Sequence, residues 1–141
     1  MSSQSGVASN AGDAKGILRV LHVITRLIQG GAQENTLYTA IGQHRDPRMQ
    51  VTLLAGIDDG PEGTLHDKAR AAGLDLRLMS SLVRPIAPLT DAAALVELYR
   101  FIRRGRFDVV HTHSSKAGIL GRVAARMAGV PVVVHTLHSL V

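Results

Sequence analysis

The sequence predicts an α/β protein with a mostly parallel, doubly wound, Rossmann-like sheet and helices on both faces. Short runs of apolar and β-branched residues alternate with amphipathic segments, and glycine or proline marks most of the boundaries between them. Strands that alternate with helices of about 10–15 residues are typical of parallel sheets built from βα units. The expected strand order is 3-2-1-4-5, which would place the switch point between strands one and four.

The first half of the chain supplies three predicted strands and two predicted helices. Proline at position 61 can open the second helix, and Gly73 can close it. The third strand alternates apolar and polar residues, which suits a strand at the sheet edge. The predicted strands are Ile17–Ile24, Gln50–Ala55 and Leu74–Met79, and the helices are Ala32–Gln43, with Leu37, Ala40 and Ile41 inward, and Thr64–Ala72.

The second half continues the alternation with two helices and two strands. Thr90 or Asp91 is expected to cap the first of these helices, and Ser114 or Ser115 the second. Apolar residues recur at helical spacing along both helices. The predicted elements are a helix to about Arg104 with Leu95, Leu98, Tyr99 and Ile102 inward, a strand Asp108–Thr112, a helix to Ala128 with Ile119, Leu120, Val123, Ala124 and Met127 inward, and a strand Pro131–Thr136.

The domain organisation follows from composition along the chain. Residues 1–16 are rich in Ser, Gly, Ala and Asn and hold few apolar groups, so they are predicted to form a disordered tail. Residues 17–141 are predicted to form one domain. In open α/β sheets, ligands bind just beyond the carboxyl ends of the strands. The last predicted strand is followed by only a short histidine-bearing segment, so we expect these residues to be the first half of a two-domain enzyme.

Composition excludes several classes of protein. The chain has no cysteine, which excludes disulfides, zinc–thiolate sites and thiol nucleophiles, and no apolar run reaches the ~18 residues of a membrane span. The net charge is +5, yet only four residues are aromatic. Because single-strand nucleic-acid binders rely on aromatic stacking, the charge better fits anionic lipid or a phosphorylated ligand. The alternative is a generally arginine-rich surface without a specific partner.

The loop after the first strand contains two adjacent glycines, Gly30 and Gly31, at the start of a helix. Glycines allow backbone amides to approach an anion closely, and a helix N-terminus favours phosphate. The spacing matches neither the dinucleotide fingerprint nor the phosphate loop. An ordinary tight turn is therefore the alternative interpretation of this pair.

Four histidines lie at or just beyond the ends of the last two predicted strands. His111 and His113 are two residues apart and should share one face of a strand, while His135 and His138 flank the end of the next strand. Imidazoles there can act as a general base, bind phosphate or sugar, or ligate a metal. Among these functions we rank metal binding low, because no acidic or thiolate side chain is near the histidines. His111 and His135 are expected to satisfy backbone groups, whereas His138 lies beyond the strand.

Three segments together resemble a known family. They are the stretch from Thr25 to Leu37 (TRLIQGGAQENTL), that from Phe107 to Arg122 (FDVVHTHSSKAGILGR), and that from Val130 to Ser139 (VPVVVHTLHS). In this order they resemble the N-terminal domain of glycosyltransferase family 4, whose members are retaining, nucleotide-sugar-dependent enzymes of the GT-B fold. The resemblance covers about residues 17–141.

The resemblance implies a role for particular residues. It places the donor diphosphate at Gly30 and Gly31 and the catalytic histidine, beside the transferred sugar, at His138. It implies that the acceptor side is shaped by the loop after strand four, namely His113, Ser114, Ser115 and Lys116. The sequence departs from the family pattern at Gln33, where an acid is usual, and at Ser139, where glycine is common. The family's second domain, with its nucleotide site and pair of glutamates, has no counterpart in these residues.

The implied activity is transfer of a sugar from a nucleotide-sugar donor to a glycan or lipid-linked acceptor, as in cell-envelope polysaccharide synthesis. Neither a cofactor nor a metal is expected. The protein is expected in the cytoplasm, with peripheral contact to anionic membrane through arginines of the helix Asp91–Arg104. These 141 residues alone are expected to be inactive. The alternative is a non-catalytic α/β binding module or inactive fragment; a response-regulator domain is rejected because Thr25-Arg26 and Ser80-Ser81 stand where acids are needed.

Overall fold

A computed structural model describes residues 16–57, 64–83 and 86–137. In this part of the chain, strands and helices alternate without exception. Their order is β1 (Leu18–Arg26), α1 (Gly31–His44), β2 (Met49–Gly56), α2 (His66–Ala71), β3 (Asp75–Met79), α3 (Pro88–Gly105), β4 (Val109–His113), α4 (Ser115–Met127) and β5 (Val132–Thr136). The predicted elements are therefore all present, with ends that differ by up to three residues.

The five strands form one parallel sheet in the order β3-β2-β1-β4-β5. This is the order 3-2-1-4-5 predicted from the sequence, so the fold class is confirmed as a Rossmann-like α/β sheet. In the register of the central pair, His22 of β1 lies beside His111 of β4. At the outer pair, Thr112 of β4 lies beside His135 of β5. These two register pairs are on opposite faces of the sheet, because successive side chains of a strand alternate.

Helices cover the two faces of the sheet in pairs. We call the side covered by α1 and α2 the α1 face, and the side covered by α3 and α4 the α4 face. On β1, Val20 and Ile24 are buried on the α1 face, while Leu21 and Val23 are buried on the α4 face. Each face has its own apolar cluster, so the central strands are apolar on both sides, as parallel sheets require.

The start of α3 differs from the prediction. The helix begins at Pro88 with Ala87 as its N-cap, rather than at a cap formed by Thr90 or Asp91. Proline fits the first helical position because its backbone needs no hydrogen-bond donor there. The Asp91 carboxylate instead reaches back and accepts a hydrogen bond from the Ala87 backbone N–H at 3.1 Å.

The inward face of α4 was predicted correctly for Leu120 and Ala124 but incorrectly for Ile119, Val123 and Met127. Small side chains face the sheet, with Ala117, Ala124 and Ala125 fully buried, whereas the larger apolar residues are largely exposed, namely Ile119, Val123 and Met127. The reason is the close approach of the helix to the sheet. A Cβ atom added at Gly121 would lie 2.6 Å from Cγ2 of Thr112, so only small residues fit along this side of α4.

Some predictions fall on residues outside the described ranges. These are the proposed disordered tail before Gly16, Pro61 as a helix opener, and the segment that contains His138. Among the described helices, none is both long and apolar enough to cross a membrane.

Candidate functional site

The carboxyl ends of β1 and β4 lie side by side at the centre of the sheet. From β1 the chain enters α1 on one face, and from β4 it enters α4 on the other face. The two connections therefore diverge and leave a crevice between them. In open α/β sheets such a switch point is where ligands bind. The structure confirms the predicted order of strands that creates it.

Side chains join the two strand ends at this crevice. The hydroxyl oxygens of Thr25 and Ser114 are 3.1 Å apart, and the Thr25 backbone N–H donates to Ser114 Oγ at 3.4 Å. Ser114 has φ 70° and ψ 162°, a conformation that non-glycine residues seldom adopt. This backbone turns the chain directly from β4 into α4, so the loop predicted at His113–Lys116 is a single residue, Ser114.

The N-termini of α1 and α4 both end at this crevice. Gly30 is the N-cap of α1, and its carbonyl oxygen accepts the first helical hydrogen bond from the Glu34 N–H at 2.8 Å. A Cβ added at Gly31 would meet nothing within 4 Å, so a larger side chain has room at this position. Each helix N-terminus carries a positive potential that favours an anion.

Lys116 and Asp91 link the first turns of α4 and α3. The Lys116 ammonium lies 2.7 Å from Asp91 Oδ1, and both side chains are largely covered. The hydrogen bond from Lys116, together with the one from the Ala87 N–H, holds the pKa of Asp91 below its usual value. The pair links the starts of the two helices on the α4 face, and the Asp91 carboxylate offsets the charge of the Lys116 cation.

Three histidines form a cluster on the α1 face, immediately below the crevice. His22, His111 and His113 have ring centroids separated by 4.2–5.3 Å. His22 Nδ1 and His113 Nε2 are 3.0 Å apart, and both residues are buried. The outer nitrogens contact α1, where His22 Nε2 meets Gln43 Oε1 at 2.6 Å and His113 Nδ1 meets Thr36 Oγ1 at 3.2 Å.

The histidines predicted at the strand ends do not all come together. His111 and His113 share the α1 face as expected, but His135 lies on the α4 face. We expected His111 and His135 to satisfy backbone groups, yet in the structure each ring contacts a side-chain hydroxyl. His111 Nε2 is 2.5 Å from Thr136 Oγ1, and His135 Nδ1 is 2.9 Å from Thr112 Oγ1.

The structure places the other predicted site residues in different ways. Gly30, Gly31, Ser114 and Lys116 border the crevice, whereas His113 is only 2% exposed and faces the histidine cluster. The side chain of Ser115 and the whole of His138 lie outside the described residues. The roles given to these residues remain predictions.

Sequence reasoning missed His22, Thr36 and Gln43. His22 is a polar residue in the middle of an apolar strand, with Val20 and Ile24 on the same face. A polar residue at such a position usually has a buried partner. That signal was available in the sequence, but the partner strand and its register were needed to identify His111 and His113 as neighbours.

Comparison with known proteins identifies the class. The family described as the glycosyl transferase 4-like domain matches residues 30–141. The chain belongs to this family of glycosyltransferase domains. The match covers α1 and every later element of the sheet, and it includes both helix N-termini of the crevice.

One curated relative carries the comparison further. It is UDP-Gal:alpha-D-GlcNAc-diphosphoundecaprenol alpha-1,3-galactosyltransferase of Escherichia coli, which is 55% identical over 75 residues. The aligned part is 53% of this chain and 18% of that enzyme. The chain thus matches less than a fifth of the relative's length.

Solved structures share the fold at low sequence identity. MurG of Acinetobacter baumannii is 20% identical with a TM-score of 0.61, and the match covers 84% of this chain and 35% of that one. UDP-GlcNAc 2-epimerase from Neisseria meningitidis is 10% identical with a TM-score of 0.62, over 82% of this chain and 31% of that one. At these identities the likeness supports the fold and nothing finer.

Proposed function

We propose that this chain is the acceptor-side, N-terminal domain of a retaining glycosyltransferase. The whole enzyme would move a sugar from a nucleotide-sugar donor to a glycan or lipid-linked acceptor. The observation that carries the proposal is that α1 and α4 follow β1 and β4, the two neighbouring strands at the switch point, in a chain that belongs to a glycosyltransferase family.

The substrates proposed are a UDP-hexose donor and an acceptor whose first sugar is attached to a lipid diphosphate. Support for this choice comes from the Escherichia coli relative, whose name describes such a pair of substrates. A basic chain suits both molecules, since each carries a diphosphate.

The proposed mechanism is front-face substitution at the anomeric carbon with retention. The bond between that carbon and the donor diphosphate breaks, a bond to the acceptor hydroxyl oxygen forms on the same side of the sugar, and the hydroxyl proton passes to the departing diphosphate oxygen. The diphosphate leaves as an anion, which the amides at Gly30 and Gly31 and the α1 dipole would stabilise. Since dipoles and cations carry that charge, the transfer step is proposed to need neither a metal nor a cofactor.

The remaining proposed roles concern the acceptor, the transferred sugar and the membrane. We propose that Ser114, Ser115 and Lys116, with His113 behind them, shape the acceptor side, and that His138 lies beside the transferred sugar. Access to a lipid-linked acceptor would require contact with the membrane, for which the exposed arginines of α3 are the proposed surface. The proposed location is therefore the cytoplasm, with peripheral attachment to the inner face of the membrane.

A pair of glycine substitutions on one helix tests the donor site. Gly31 and Gly42 both lie in α1, and a Cβ at either position meets nothing within 4 Å. Gly31→Leu should obstruct the diphosphate, whereas Gly42→Leu makes the same change at the far end of the helix. Transfer from UDP-galactose to a lipid-diphosphate-linked GlcNAc, measured in the whole protein that carries this domain, should fall at least tenfold for Gly31→Leu alone. Equal activities in the two variants would show that the donor diphosphate does not bind at Gly31.

A further inference from the structure

Of the three clustered histidines, only His113 has a place in the proposed transfer reaction, behind the acceptor side, and no role there is proposed for His22 or His111. His22 lies in the middle of β1 and His111 and His113 lie on β4, so two neighbouring strands supply all three rings. Each ring offers one nitrogen, and the three nitrogens lie within 4.8 Å of one another. We propose that His22, His111 and His113 bind one divalent transition-metal ion of the zinc type.

One pair of ring nitrogens is already near the spacing that such an ion requires, and the His111 nitrogen, which lies within 4.8 Å of the other two, would also turn toward the ion. Zinc–nitrogen bonds are about 2.0–2.1 Å long, so two ligands of a tetrahedral site lie roughly 3.3 Å apart. His22 Nδ1 and His113 Nε2 are 3.0 Å apart. Binding would replace their hydrogen bond with two metal bonds and widen this pair by a few tenths of an ångström.

The contacts around the cluster resemble the outer shell of a metal site. His22 Nε2–H donates to Gln43 Oε1 at 2.6 Å, which leaves the lone pair of Nδ1 directed at His113. Metal-ligating histidines commonly donate their other nitrogen to a fixed oxygen, which orients the ring. The outer nitrogens of the other two rings lie beside hydroxyls, with Thr36 next to His113 and Thr136 next to His111.

The chemistry of the donors selects the kind of ion. Imidazole nitrogens suit Zn²⁺, Ni²⁺, Cu²⁺ and Co²⁺, whereas Mg²⁺ and Ca²⁺ require oxygen ligands. The third imidazole, from β1, is the companion that sequence analysis did not find near His111 and His113.

The position of the site defines its role. Metal bonds from His22 to both β4 histidines would connect the two strands at the switch point, below Ser114 and the start of α1. The ion would stabilise the crevice without touching the substrates. The inference concerns this cluster alone and does not depend on the proposed transfer reaction.

The first test titrates the full chain, prepared without a polyhistidine tag, with Co²⁺ and then Zn²⁺. We expect one Co²⁺ per chain, visible absorption of a low-symmetry nitrogen site, and displacement by Zn²⁺. Zn²⁺ should raise the midpoint of thermal unfolding, and a chelator should reverse the shift, because ligands that bind the native state stabilise it. The absence of stoichiometric binding would overturn the proposal.

Matched variants locate the ion. His22→Asn and His113→Asn should each weaken Zn²⁺ binding at least tenfold, whereas His135→Asn makes the same change on the α4 face and should leave binding intact. Loss of binding in the His135 variant as well, or retention in the other two, would contradict the assignment.

A measurement on the unsubstituted chain guards against a variant that fails to fold. Nuclear magnetic resonance of the imidazole ¹⁵N nuclei distinguishes ligating from free rings. Stoichiometric Zn²⁺ should shift the ring signals of His22, His111 and His113 and leave those of His44 and His135 in place. Unchanged signals of the three rings would exclude the site.

Discussion

The side-chain hydroxyl of Thr25, one residue before the end of β1, lies 3.1 Å from that of Ser114, the residue that joins β4 to α4. These residues are 89 positions apart in the sequence, and their contact brings together the two loops that flank the crevice. The backbone of Ser114 adopts a positive φ of 70° at the same point. A residue with a strained backbone that is fixed by a hydrogen bond to a neighbouring strand is typical of a functional site.

The activity of the isolated domain is the first prediction. Purified 141-residue chain should not turn over a nucleotide sugar, because it matches only 18% of the length of its galactosyltransferase relative. Release of UDP from UDP-galactose in the presence of a lipid-linked acceptor measures this. Turnover above that of a protein-free sample would refute the prediction.

The second prediction concerns His138 in the whole enzyme. His138→Ala should lower turnover by about 10²–10⁴, the range typical of a positioned catalytic group. His135→Ala is the control because His135 bonds Thr112 on the α4 face and should act mainly through stability. Turnover of both variants should be measured at a temperature where both are folded. Small and equal effects on turnover would show that His138 is not an active-site residue.

Contact with the membrane is the third prediction. In α3, Leu98 and Ile102 are buried in the core, whereas Arg100, Arg103 and Arg104 are exposed, as are the apolar residues Leu89 and Val96. Each basic residue near anionic lipid contributes about 1 kcal/mol, and salt screens the attraction. Arg103→Glu plus Arg104→Glu should abolish co-sedimentation with anionic vesicles at low salt.

The control for that experiment reverses the same number of charges elsewhere. Arg45→Glu plus Arg70→Glu changes two exposed arginines associated with the helices of the α1 face. This variant should still co-sediment with anionic vesicles. If the unsubstituted chain binds anionic and neutral vesicles equally, electrostatic attachment through α3 is wrong.

A fourth prediction concerns the packing beneath the crevice. A Cβ at Gly56 would collide with the backbone carbonyl oxygens of Thr25 and Leu82, which cannot rotate away as a side chain would. Gly56→Ala should therefore destabilise the fold by about 1–3 kcal/mol. Gly42→Ala, at an open helical position, should instead stabilise it by up to about 1 kcal/mol. Urea unfolding of both variants measures the difference, and equal midpoints would show that the two strands and the Leu82 segment are not closely packed.

The fifth prediction is a pH dependence at the Lys116–Asp91 pair. The pKa of Asp91 is lowered in the folded chain, so the unfolded chain binds a proton more readily. The contribution of the pair to stability is therefore present above the ordinary value of 3.8 and is lost as the pH falls through the lowered value. Asp91→Asn should reduce the urea midpoint at pH 7 and have a smaller effect near pH 3, below the ordinary value.

Asp67→Asn provides the matched control for the pH experiment, because Asp67 is fully exposed and its ion pair with Arg70 is long, at 3.8 Å. This substitution should change the midpoint little at either pH. A similar loss from both substitutions at pH 7 would mean that the bond to Lys116 contributes nothing specific.

The sequence by itself determined the order and type of the elements. Apolar β-branched runs alternate with helical periodicity, and right-handed crossovers leave few ways to arrange such units, so the order of the strands could be predicted. The Gly30–Gly31 pair and the residues around Ser114 could likewise be assigned to the carboxyl edge of the sheet. These features depend on local pattern and connectivity, which a sequence contains.

Only the tertiary structure decided which side chains meet. Glycines at the contact allow α4 to lie very close to the sheet. Because little space then remains, alanines are buried there, and Ile119, Val123 and Met127 are exposed. Strand register places His22 beside His111 and sends His135 to the opposite face. Distances between helix and sheet and the pairing of distant strands are set by packing of the whole core, so no local pattern in the sequence specifies them.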